Sequence, residues 1–86
     1  MSGDRGSDLV ADLVAGLKAA GWTSTDLWLA AFALGGDLSA ADIGEITAGH
    51  RPVGRIDWDV LAAAINDGCA DKGLDPPMRY WAQLSV

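Results

Sequence analysis

Eighty-six residues with a formal charge of −6, one cysteine and one histidine make one domain around a single core, too short for a catalytic domain joined to a regulator. Cys69 alone permits no internal disulfide, and no Cys/His spacing resembles a metal site. The acidic balance works against nucleic acid and anionic membrane alike and suits a basic partner surface.

Residues 1–6 are rich in Gly, Ser and Asp and are expected to form a disordered N-terminus, with one helical domain over residues 7–86. This start lacks the basic-then-apolar layout of a signal peptide. The longest apolar run, residues 27–34, is too short to span a bilayer. Together with the unpaired cysteine, these features lead us to expect a cytoplasmic chain.

The first helix is expected from Ser7 or Asp8 to Ala20, with Leu9, Leu13 and Leu17 recurring every four residues beside Val10 and Val14. Gly21 stops it and, in a left-handed C′ position, would let Trp22 pack back on Leu17. Trp22-Thr23 followed by Asp26-Leu27, and Leu38-Ser39 followed by Asp42-Ile43, each combine a hydrophobic staple with an Asp version of the capping box. They open a second helix over residues 24–34, stopped by Gly35-Gly36, and a third over 40–48, stopped by Gly49. Ile56-Asp57 with Val60-Leu61 repeats the staple spacing and predicts a fourth helix over 58–72. It buries Trp58, Leu61, Ile65 and Cys69 on one stripe and ends at Gly73, with Leu74 next to Cys69. Asp75-Pro76-Pro77 stops that helix and can start a short last one through Met78, Trp81 and Leu84. The expected fold is all-α: a compact bundle of four or five short helices.

Chemistry is less plainly written. Residues 27–34 are apolar all round, which predicts a central helix wrapped by the others. A domain this small cannot cover all of it, so Trp28, Leu29 and Phe32 are candidate partner-binding residues, joined by Tyr80 and Trp81 of the apolar C-terminal segment. Trp81 is expected to fold back near Trp58 or Trp28, with Tyr80 reaching a polar partner at the rim. His50, Arg51 and Arg55 are the candidate anion contact in an acidic chain. The plainer reading has His50 and Arg51 complementing the end of the third helix and Arg55 pairing with Asp57 or Asp59. No acid, base or nucleophile is tied to His50 by a recognisable spacing, so no catalytic residue is assigned. Asp57, Asp59, Asp67, Asp71 and Glu45 do not form an EF-hand loop and read as a solvated face, so no metal ligand is assigned. Cys69 on a buried stripe is packing, not a nucleophile. No cofactor is expected. The second and third helices have helix-turn-helix lengths, but Ala40, Ala41, Asp42, Glu45 and Thr47 offer nothing to base edges, so nucleic acid and membrane are not expected partners.

Two resemblances add to this reading. Phe32-Ala33-Leu34-Gly35-Gly36-Asp37 resembles the Phe-x-x-Leu-Gly-Gly-Asp-Ser-Leu loop of peptidyl carrier proteins, whose serine bears phosphopantetheine at a helix start. Transferred here, it implies Ser39 as the attachment point. The chain departs from that pattern in having Leu38-Ser39 in reversed order and one residue, not two, between Phe32 and Leu34. Residues 26–29, 32–36 and 61–66 are similar to small acidic helical proteins of high-GC Gram-positive bacteria with no established activity, which implies none here. The function expected from the residues is a small non-enzymatic interaction or regulatory module that binds a protein partner or forms a homodimer through an apolar surface. Acyl or peptidyl carriage at Ser39 is the alternative, and helix-turn-helix DNA binding comes third.

Overall fold

The computed structural model describes residues 5–84, and the fold is all-α, with no strand among those residues. The helices are α1 (Arg5–Ala20), α2 (Ser24–Ala33), α3 (Ala40–Thr47), α4 (Arg55–Asp71) and a single turn, α5 (Trp81–Leu84). Residues 1–4 of the expected disordered N-terminus lie outside the described residues. Helix α1 begins two residues ahead of Ser7, because a helix anchored by buried Leu9, Leu13 and Leu17 propagates past a local cap signal at little cost.

All four long helices end on the same device. Gly21, Gly35, Gly49 and Gly73 have φ between 72° and 89°, the left-handed region that glycine enters without a Cβ penalty. At the end of α1 the Gly21 N–H donates to Lys18 O at 3.1 Å and the Trp22 N–H to Leu17 O at 2.9 Å, the two bonds of a Schellman motif. The Lys72 ammonium, at the end of α4, donates to the orphan Ala20 carbonyl. Trp22 then lies across Gly68 of α4: a Cβ built there would overlap Cζ2, with Cη2 only 2.7 Å away. One indole thus ties the α1–α2 corner to α4.

Helices α2 and α3 open on full capping boxes. Thr23 and Ser39 accept the N–H of Asp26 and Asp42 through their hydroxyls, and the two carboxylates accept the cap N–H in return at 2.9 and 3.0 Å. Helix α4 does not open as expected. It starts at Arg55 with Gly54 as a cap lacking any side-chain bond, so Asp57 is inside the first turn and Ile56 is 76 % exposed. The staple positions fall three residues earlier, on Val53 and Trp58, both part of the core cluster. Burying the Trp58 indole outweighs a better local cap. Gly54 has ordinary extended φ and open space around a Cβ. Gly54→Ser should therefore raise stability by about 0.5–1 kcal/mol, through the added cap and the stiffer unfolded chain, read as a melting temperature higher by about 3–6 °C.

The core is Leu13, Leu27, Ile43, Ile46, Trp58, Leu61, Ile65 and Cys69, all essentially inaccessible. The predicted α4 stripe is buried in full. Helix α4 packs on α1 and α2, and α3 fills the remaining side against α1 and α2. A radius of gyration of 12.0 Å equals the value of about 12 Å for a compact chain of this length. Among the described residues no helix is long and apolar enough to cross a membrane.

The expected central position of the second helix is corrected by this packing. Helix α2 packs on α3 and α4 with Leu27 and Ala31 buried, while Leu29, Phe32 and Leu34 are 55 %, 65 % and 47 % exposed. The last segment differs too. From Leu74 to Tyr80 the chain is a non-helical strap, because Pro76 and Pro77 remove two N–H donors, and only Trp81–Leu84 turns helical.

Candidate functional site

The solvent-facing side of α2 carries the candidate site. Leu29 and Phe32 are three residues apart and Trp28 and Phe32 four, so the three side chains adjoin on the helix surface. The Trp28 and Phe32 rings meet at a centroid distance of 6.2 Å with planes tilted by 40°. Trp28 is half-buried against the core and supports Phe32 from below, while Leu29 and Phe32 stand in water. Three of the expected partner-binding residues are thereby brought together into one ridge.

Tyr80 and Trp81 belong elsewhere, at the end of the strap and the start of α5. Trp81 packs against the core cluster and its backbone N–H donates to Asp59 Oδ1 at 2.7 Å, which fits a fold-back on the helices better than a partner contact. Tyr80 is exposed at 40 %, and among the described residues it is its backbone N–H that finds a polar partner, Gln83 Oε1 at 2.8 Å.

The strap reveals polar residues with no role in the sequence reading. Asn66, on the buried face of α4, reads the Met78 peptide on both sides: Oδ1 accepts its N–H at 2.9 Å and Nδ2 donates to its carbonyl at 3.1 Å. The Trp58 indole N–H donates to Arg79 O at 2.8 Å, and Arg79 reaches Asp12 of α1. Met78 itself enters a notch over Gly16, where a Cβ would stand 2.5 Å from its sulfur. The one signal in the sequence is an asparagine that ends the apolar run 60–65 on the same helix, a buried polar group that needs partners.

The candidate anion contact is dispersed. Arg51 is ion-paired to Asp42, His50 is exposed and its backbone N–H closes the end of α3 on Glu45 O, and Arg55 is exposed on the first turn of α4. The expected pairing of Arg55 with Asp57 or Asp59 does not occur among the described residues, and Asp59 instead holds the strap. Among the described residues no group of three His, Cys, Asp or Glu side chains could hold a metal ion. Cys69 is buried. The exposed residues of α3 are Ala40, Ala41 and Glu45, none of them a donor suited to a base edge.

No family model, curated protein or solved structure matches the chain. The functional reading therefore rests on its own surface.

At Ser39 the hydroxyl accepts the Asp42 N–H at 3.1 Å. The Ser39 N–H above all holds the Asp42 carboxyl below its ordinary range; desolvation opposes it, and the Ser39 hydroxyl and Arg51 add to the lowering. A carboxylate with a lowered folded-state pKa stabilises the fold above the unfolded-state value and loses that contribution as pH falls through the folded one. Ser39→Ala should cost about 0.5–2 kcal/mol at neutral pH. Asp42→Asn should flatten the acid limb of the stability curve below about pH 4, and an unchanged limb in thermal melts across that range would show that Asp42 is not among the groups that set it.

Proposed function

We propose that this chain is a small non-enzymatic interaction module that binds a protein partner, or a second copy, through the outward ridge of α2. The observation that carries this reading is the exposure of Leu29 and Phe32 at 55 % and 65 % beside the half-buried Trp28. Single exposed apolar residues are ordinary, but a contiguous aromatic and aliphatic cluster on one helix is what contact surfaces use as anchors. The α2 backbone beneath it is fixed by a capping box at one end and a Schellman motif at the other, so the ridge is presented on a rigid element.

The test compares the wild type with Leu29→Ser/Phe32→Ser. Both positions face water, so the double variant should melt within a few degrees of wild type. It should lose the binding of a hydrophobic dye, and any concentration-dependent association seen by light scattering coupled to gel filtration. A wild-type monomer that ignores the dye would end the interaction reading.

A further inference from the structure

Between Lys18 and Arg51 the chain has no lysine or arginine, while Asp26, Asp37, Asp42 and Glu45 all fall in that stretch. The stretch builds α2 and α3, so the apolar ridge stands on a segment whose own formal charges are all negative. Asp26 is exposed on α2 one turn before Leu29, and Asp37 is exposed in the connection that follows Leu34, so acids stand at both ends of the ridge. Glu45 is exposed on the neighbouring α3. Only Asp42 has a cation, Arg51, and none of the other three forms an ion pair among the described residues.

We propose that the occupant of this ridge is a basic amphipathic helix of a partner protein, its apolar side on Trp28, Leu29 and Phe32 and its Lys/Arg residues toward Asp26, Asp37 and Glu45. The proposal rests on the reading of α2 as a contact surface and adds the chemistry of the partner. Charge separates it from the other occupants. A second copy would bring a chain of −6 against another of −6 and set acidic ends of one ridge near those of the other, which an isologous contact cannot avoid. An anionic membrane surface is repelled by the same field. The shape also fits: a single ridge, Phe32 standing three residues from Leu29 and four from Trp28, meshes with the groove of one helix.

The probe is a labelled amphipathic helical peptide of about five turns, Leu and Phe on one face and Lys and Arg on the other, beside a twin with Glu at every basic position. Anisotropy titration should show the basic peptide binding and the acidic twin failing to bind. Affinity for the basic peptide should fall about tenfold between low and high salt as the rim charges are screened. Asp37→Asn/Glu45→Gln should weaken binding a few-fold and flatten the salt dependence, whereas Leu29→Ser/Phe32→Ser should weaken it by about 30-fold or more, as loss of anchors does. Equal binding of both peptides, no binding of the basic one, or basic binding indifferent to Leu29→Ser/Phe32→Ser would overturn the proposal. Light scattering on the same samples separates the two levels. A dimer dissolved by Leu29→Ser/Phe32→Ser, with neither peptide bound, keeps the contact surface and rejects the basic partner, and a monomer that binds neither peptide removes both.

Discussion

Trp58→Ala should leave the chain largely unfolded at 37 °C. Trp58 is wholly buried at the N4 position of α4 and its indole N–H holds the Arg79 carbonyl. Truncating a buried tryptophan costs about 3–5 kcal/mol in packing alone, and the stranded carbonyl adds about 1–3 kcal/mol unless the strap lifts to reach water. A domain of this length has about 4–13 kcal/mol in total, so the loss takes most of it. Trp58→Phe separates the two contributions: it keeps most of the ring burial, removes the donor, and should cost a fraction as much. Urea melts followed by far-UV circular dichroism measure both. A melting temperature for Trp58→Ala within about 5 °C of wild type, equivalent to roughly 1 kcal/mol, would mean the indole is not central to the core.

The parts of this fold that the sequence reveals are those decided by a few adjacent residues. Gly21, Gly35, Gly49 and Gly73 end their helices because the left-handed turn needs only glycine and the preceding carbonyls. Thr23 with Asp26, and Ser39 with Asp42, cap α2 and α3 because both partners lie within one turn. What the sequence leaves ambiguous was decided by packing. Val53 with Trp58 and Ile56 with Leu61 both satisfy the five-residue staple spacing. Local cap preference favours Asp57 over Gly54, yet the register with Trp58 inside and Ile56 outside prevails. Residues 27–34 have no polar side to mark the solvent face, so periodicity could not show that Leu29 and Phe32 point outward. That is set by packing, which buries Leu27 and Ala31 and leaves Leu29 and Phe32 in water. Of the five expected contact residues Trp28, Leu29 and Phe32 share the ridge, while Tyr80 and Trp81 lie with the C-terminal segment. The strap was least legible, since side-chain bonds to an extended backbone leave no periodic trace.

Asn66 is the test of that strap. In Asn66→Ala the Met78 N–H and C=O lose their partners in a buried site, a penalty of about 1–3 kcal/mol for each group. The penalty is limited by the free energy of detaching residues 74–84, because a lifted strap lets water serve Met78. The expected result is accordingly not global unfolding but a melting temperature lower by about 10 °C, a red-shifted tryptophan emission as Trp58 and Trp81 gain water, and protease cleavage within residues 74–80. Asn66→Asp keeps the acceptor for the Met78 N–H but sets a carboxylate against the Met78 carbonyl. Its folded-state pKa should be raised, so the variant should be destabilised at neutral pH and recover as pH falls toward about 4, where a protonated acid can donate again. Truncation after Asp75 completes the cycle. It should itself lower the melting temperature, and in the truncated chain Asn66→Ala should cost little, because the peptide it served is gone and its amide faces water. An additive loss in the truncated chain would assign Asn66 a role inside the helical bundle, and an unchanged melt on truncation would show that the strap is not part of the folded unit.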